Sequence, residues 1–174
     1  MDSSWKVVRL HSTHPVEAFT CGTRPGSKEI DKYLQVNALN EQAAHLAAIW
    51  IVENTAATSR ADRLVGFFSL SPVSIRLSAP IMEALNIIAP YQMIGGWLLG
   101  RMGIAQQYQG HRRGRLLVAS AIKIAKELRD ATAGVVLAID PANDSLTQWY
   151  LDLDFGFQRL APNDLKILRL AMKI

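Results

Sequence analysis

The chain has one cysteine, Cys21, in 174 residues. A lone thiol excludes a disulfide framework and a multi-cysteine zinc site, and it fits a reducing compartment. Long apolar runs are absent too. The longest, residues 46–52 and 135–139, fall far short of the roughly 20 residues that span a bilayer. The start, Met1-Asp2-Ser3-Ser4-Trp5-Lys6, lacks the basic and apolar stretches of a signal peptide. A cytoplasmic location without membrane attachment is therefore expected. His11, His14 and His45 have no metal-ligand spacing, and no metal is expected. Lysine is the minority cation: 12 of the 19 basic residues are arginine, the side chain suited to bidentate phosphate contacts. The net charge of +4 points to anionic partners without naming one.

What is present suffices for a core. A hydrophobic fraction of 49% with 20% charged residues excludes disordered, collagen-like and coiled-coil chains. A chain of this length buries roughly 70% of its unfolded surface without staples. No repeat or linker divides it, so a single domain over 1–174 is expected. Residues 7–10 read as an opening strand, and residues 26–31 as a helix start. Ser27 is the expected cap there, and Ile30, Leu34 and Leu39 form the apolar stripe. Residues 46–53 and 64–71 read as strands, and 73–77 continue that sheet past a break or bulge at Pro72. Residues 78–90, with two prolines, resist assignment.

The second half is more regular. Residues 96–104 read as a strand and 116–128 as a helix, with Leu117, Ala121, Ile124, Ala125 and Leu128 on one face. Residues 135–139 lack alternation, the pattern of a strand covered on both faces. Residues 145–153 form a short helix capped by Asn143 or Asp144, and 166–174 a final strand. The order implies a mixed α/β domain with at least one parallel crossover.

Gln109-Gly110-His111-Arg112-Arg113-Gly114 lies between a predicted strand and helix. The first N–H groups of a helix lack intrahelical partners, and with the positive end of its dipole they suit a phosphate or pyrophosphate. Gly110 and Gly114 let a ligand approach, and Arg112, Arg113 and Arg115 add charged donors. The same residues also read as a glycine-bearing turn with a solvated arginine cluster.

This segment resembles the acetyl-CoA motif of the GNAT N-acetyltransferases, a Gln or Arg, two residues, Gly, one residue, then Gly or Ala. Gln109 and Gly114 match its ends, and Arg112 stands where the family has its middle glycine. Residues 98–104 resemble that family's central strand, which splays from its neighbour. The resemblance implies that Met102, Gly103 and Ile104 offer backbone groups to the pantetheine arm. Asn143-Asp144-Ser145-Leu146-Thr147-Gln148-Trp149-Tyr150, followed by Asp154-Phe155-Gly156-Phe157, is similar to the family's C-terminal segment. There Asn143 would contact the cofactor, and Tyr150 would protonate the departing thiolate. A phenol with a pKa near ~10 is a competent acid at neutral pH, although tyrosine in a short helix also serves simply as packing.

Phe19-Thr20-Cys21-Gly22, followed by Ile30-Asp31-Lys32-Tyr33-Leu34, resembles the opening of the acetyltransferase toxins of toxin–antitoxin pairs. That likeness implies acetyl transfer from acetyl-CoA to the α-amine of an aminoacyl-tRNA, a ribbon-helix-helix antitoxin partner, and a possible homodimer. Two alternatives stand beside it: acetylation of a small amine or a protein N-terminus, and a CoA-binding regulatory protein without turnover. Cys21 reads as a small buried hydrophobe rather than a nucleophile. No acidic residue announces itself as a general base. Arg76, Arg101, Lys28 and Lys32 are candidates for a tRNA surface.

Overall fold

The computed structural model describes residues 4–110, 112–160 and 169–174. Among these residues seven strands, numbered β1 to β7 in chain order (Trp5–Arg9, Ala48–Asn54, Leu64–Arg76, Met93–Ile104, Val136–Ile139, Gln158–Arg159 and Leu170–Lys173), form a mixed, mostly antiparallel sheet in the order β1-β2-β3-β4-β5-β7-β6. The chain divides into two compact units, Met1–Ser71 with Arg101–Ala121, and Pro72–Gly100 with Ile122–Ile174.

In the first unit, β1 (Trp5–Arg9) pairs antiparallel with β2 (Ala48–Asn54), from Trp5↔Asn54 to Arg9↔Trp50. Strand β2 pairs antiparallel with β3 (Leu64–Arg76), with a bulge between Val52 and Glu53. Every residue of β3 from Leu64 to Leu70 is buried, as expected of a strand covered on both faces. The break expected at Pro72 does not occur. The strand runs through it, because the pairing with β2 has already ended at Ala48↔Leu70 and an exposed proline removes no needed donor. Helix α1 (Ser27–Lys32) continues through a π-helical turn, Tyr33–Asn37, into α2 (Ala38–Ala43). The core joins Leu34 and Ala38 from this segment to Phe19, Ile49, Ile51, Leu64 and Phe67. Ser27 is not the cap. Gly26 takes that position at φ 82°, and Ser27 is the first helical residue, buried, with its hydroxyl donating to the Cys21 carbonyl at 3.4 Å.

In the second unit, residues 78–90 contain helix α3 (Ala79–Ala84), with Pro80 in its first turn, where no N–H is needed. Strand β4 (Met93–Ile104) enters from this unit, and its pairing with β5 (Val136–Ile139) is parallel, from Gly96↔Val136 to Leu99↔Ile139. Helix α4 (Arg113–Thr132) supplies the crossover between them. All four β5 residues are buried. Helix α5 (Asp144–Asp152) follows, then a two-residue strand β6 (Gln158–Arg159) that the sequence pattern did not reveal. Strand β7 (Leu170–Lys173) pairs antiparallel with both β5 and β6. Residues 166–168 of the expected final strand lie outside the described residues. Ile75, Leu77, Ile94, Val136, Ala138, Leu160 and Ala171 form this unit's core.

Candidate active site

Strand β4 runs five residues past Leu99, the last residue paired with β5. Within that extension the Ala105 N–H donates to the Val65 carbonyl at 2.9 Å. Ladder alternation then turns the Gly103 peptide groups toward β3 and those of Met102 and Ile104 toward the opposite edge. Gly103 is buried. A Cβ there would lie 2.7 Å from Ile30 Cγ2 and 2.8 Å from Cys21 Sγ, so the strand and the α1 segment approach at glycine distance.

That approach is held by a polar clasp. The Asp31 carboxylate accepts from the Cys21 N–H (2.7 Å) and from the Thr20 hydroxyl (2.9 Å). The Cys21 carbonyl accepts from Gln109 Nε2 (2.8 Å), and the same amide donates to the Ile104 carbonyl (3.1 Å). Gln109, read from the sequence as a cofactor contact, thus ties the end of β4 and the turn before α4 to the Cys21 segment. Burial first, then the charge of Asp31, raises the Cys21 thiol to about 12, so it is a protonated packing group at neutral pH.

The turn before α4 has an unusual backbone. Gly110 adopts φ 87°, and nothing lies within 4 Å of where its Cβ would be, which leaves open space at the turn. Arg112 adopts φ 57°, the left-handed region. The sequence position that departs from the family's glycine is therefore one where glycine conformation is kept by an arginine, at a cost of about 1–2 kcal/mol. Arg112→Gly removes that strain and loses part of the gain to unfolded-chain entropy. A rise in Tm of roughly 2–4 °C is expected by thermal unfolding, and a fall would contradict it. Arg112 and Arg115 are exposed, whereas the Arg113 guanidinium lies 5.5 Å from the Trp5 ring and 5.6 Å from the Tyr108 ring. The N–H groups of Arg113 and Arg115 donate to the carbonyls of Gly110 and Arg112 at 3.0 Å each. His111 lies outside the described residues.

The other candidate residues belong to the second unit. Asn143 caps α5. Its side chain accepts from the Leu146 N–H at 2.9 Å, and its carbonyl accepts from the Thr147 N–H and hydroxyl, both at 3.0 Å. Thr147 is fully buried, so the cap fixes the helix from beneath. Just before the cap, Asp140 makes a bidentate pair with Arg169, both bonds 2.6 Å. Tyr150 is buried between Trp149 (centroids 4.8 Å apart) and Phe157 (6.2 Å), and its hydroxyl has no hydrogen-bond partner among the described residues. Desolvation raises its pKa to about 12. Among the described residues, no three metal-ligating side chains converge, and no helix is long and apolar enough to cross a membrane.

Cys21 and Tyr150 share a consequence. Each holds its proton more tightly when folded, with pKa values raised from 9.0 and 10.0 to about 12. Between those values the unfolded chain has released protons that the folded chain retains. Stability is therefore complete below pH 9 and falls as pH rises from 9 toward 12, by a few kcal/mol on the order of the shifts. Urea unfolding at stepped pH measures this, and a midpoint that is flat to pH 11 would contradict it.

A mostly antiparallel sheet that has, among the described residues, seven strands and one parallel pair linked through a long helix is the GNAT fold. No family model matches the sequence. Among solved structures, the chain is similar to the AtaT toxin complexed with acetyl-methionyl-tRNAfMet, at 18% identity and TM-score 0.78 over 97% of this chain and 94% of that one. It is also similar to a tyrosine-to-phenylalanine mutant of KacT, at 19% identity and TM-score 0.77 over 98% and 95%. A third likeness is to a tyrosine-to-phenylalanine mutant of the AtaT toxin bound to the C-terminus of the antitoxin AtaR and acetyl-CoA. There the identity is 17% and the TM-score 0.74, over 98% and 93%.

Proposed function

We propose that the protein is an N-acetyltransferase toxin that transfers acetyl from acetyl-CoA to the α-amine of an aminoacyl-tRNA and so withdraws that tRNA from translation. The observation that carries this reading is the edge of β4 beyond Leu99. Met102 turns its peptide groups outward and Ile104 its N–H, the Ile104 carbonyl being taken by Gln109, just before an open turn at the start of a 20-residue helix. An extended amide-bearing chain pairs with such an edge, and an anion suits such a turn. The likeness to AtaT, one structure of which carries acetyl-methionyl-tRNAfMet, supports the acceptor.

In this reading Met102 and Ile104 align the pantetheine. The turn amides between Gly110 and Gly114, apart from the Arg113 N–H that is spent on the Gly110 carbonyl, meet the pyrophosphate together with the Arg112 and Arg115 side chains. Arg113 and Gln109 act at one remove, by holding the turn through the aromatic pair and the clasp. Acetyl-CoA supplies an activated thioester. The neutral amine nitrogen attacks its carbonyl carbon, the C–N bond forms, and the C–S bond breaks with its electron pair going to sulfur. Tyr150 delivers its phenolic proton to that sulfur, and the proton lost by the amine passes to solvent. Direct transfer requires no enzyme nucleophile, which agrees with a thiol at Cys21 held protonated. An antitoxin partner of ribbon-helix-helix type, a homodimer, a single domain over 1–174 and a cytoplasmic location belong to the same reading.

The test is incubation with acetyl-CoA and bulk charged tRNA, followed by mass spectrometry of the released aminoacyl ends. N-acetylated ends are expected. Thioester consumption with peptides or small amines, but none with charged tRNA, would assign another acceptor. No consumption with any amine would leave a CoA-binding protein without turnover.

A further inference from the structure

We propose that Glu41, held by Tyr33, accepts a hydrogen bond from the α-amine of the acceptor, and that Arg101 beside them receives the neighbouring phosphate. This rests on the aminoacyl-tRNA reading and narrows it to residues.

Three features of the first unit lead here. The segment between α1 and α2 is π-helical over Tyr33–Asn37, a rare backbone form that recurs at functional sites because its extra residue re-aims a side chain. The side chain at its start is Tyr33. Its ring stacks on Phe67 of β3 at 6.1 Å, and its hydroxyl donates to Glu41 Oε2 at 2.7 Å. Above the same ring lies the Arg101 guanidinium, 5.8 Å from the centroid, while the Arg101 N–H donates to Ser69 Oγ at 2.8 Å. One ring thus stands between a carboxylate on α2 and a guanidinium on β4.

The two opposite charges are not spent on each other. Neither Glu41 nor Arg101 makes an ion pair with any described residue. Glu41 has one oxygen engaged by a neutral phenol, which leaves its charge intact and its second oxygen available. Tyr33 stays protonated, because burial and the Glu41 carboxylate push its pKa up, so it remains a donor that orients the carboxylate. Arg101 is exposed and immediately precedes Met102, where the reading above begins to align the thioester.

A fixed carboxylate and a fixed guanidinium across one ring match a ligand with an amine at one end and a phosphodiester near it. The aminoacylated 3′ end of a tRNA has that pattern. A polyamine or a lysine side chain lacks the anion and would meet Arg101 unfavourably. The match concerns acceptor recognition and leaves the thioester side alone.

The experiment measures steady-state kinetics with two acceptors, bulk charged tRNA and an amino acid methyl ester. Glu41→Gln keeps an oxygen for the Tyr33 hydroxyl and removes the charge. It should raise KM for both acceptors by about tenfold or more, with acetyl-CoA affinity and Tm at wild-type values, and Glu41→Asp should recover part of the loss. Arg101→Ala should raise KM for charged tRNA alone and flatten its log–log salt slope by about 0.7. Wild-type KM for Glu41→Gln with both acceptors would overturn the inference while acetylation of tRNA stands. So would a loss of acetyl-CoA affinity matching the rise in acceptor KM, the mark of a structural role. Failure of the wild-type protein to acetylate charged tRNA would instead overturn the function it rests on, and the inference with it.

Discussion

Tyr150→Phe should lower kcat by about a hundredfold or more, the usual scale for a lost general acid, while the Kd for acetyl-CoA stays at the wild-type value. The packing argument makes this a clean substitution. Phenylalanine preserves the ring contacts with Trp149 and Phe157. The hydroxyl has no partner among the described residues, so its removal strands no buried donor or acceptor there. Tm should therefore hold or rise slightly. The pH profile gives an independent check. With its pKa raised to about 12, the phenol remains a proton donor through pH 10, and no alkaline decline set by this residue should occur below that point. Unchanged turnover in the phenylalanine variant would remove Tyr150 from the mechanism. An equal loss in kcat and in stability would make it a core residue instead.

Gly96→Ala should be the most damaging conservative change to the fold. A Cβ at Gly96 meets the Val136 carbonyl oxygen and the Val136 Cγ2, and a Cβ at Gly134, itself at φ 108°, would lie 3.3 Å from the Gly96 Cα. Gly96 and Val136 are the first register pair of the parallel ladder, so the clash falls on backbone that cannot move without separating β4 from β5. The expected cost is about 3 kcal/mol or more, a drop in Tm near ~10 °C for a chain of this size. Gly95→Ala is the control, because nothing lies within 4 Å of its Cβ position. Equal melting temperatures for the two variants would overturn the argument.

The regular elements were legible because their side chains repeat the geometry that buries them. Val136 to Ile139 carry no polar residue, and a strand covered on both faces admits none. Helix α5 announced its start, since asparagine is one of the few side chains able to cap it. Other features left no local trace. Pro72 read as a break because a proline is costly only where an N–H is needed, and that depends on where β2 stops. Ser27 read as a cap because the left-handed turn at Gly26 is invisible in composition. The two-residue β6 is too short for any periodic signal. Glu41 and Tyr33 stand eight residues apart, and their hydroxyl and carboxylate meet at 2.7 Å across a π turn that no local pattern announced.

The basic, arginine-rich composition took on different meanings at different positions. Of the three arginines at the start of α4, Arg113 turns to Trp5 and Tyr108, while Arg112 holds a left-handed backbone. Gln109 likewise spends its amide on the carbonyls of Cys21 and Ile104.

By itself the sequence determined the mixed α/β class, the parallel crossover, the glycine- and arginine-bearing turn before a helix and a tyrosine on a capped short helix. These follow from periodicity, capping chemistry and glycine placement, all of which act within a few residues. The tertiary structure decided which polar groups of those segments remain unspent. A hydrogen bond or a ring contact from a residue as distant as Trp5, Cys21 or Asp31 consumes some of them and leaves others facing outward. That allocation depends on long-range packing, which local sequence pattern does not encode.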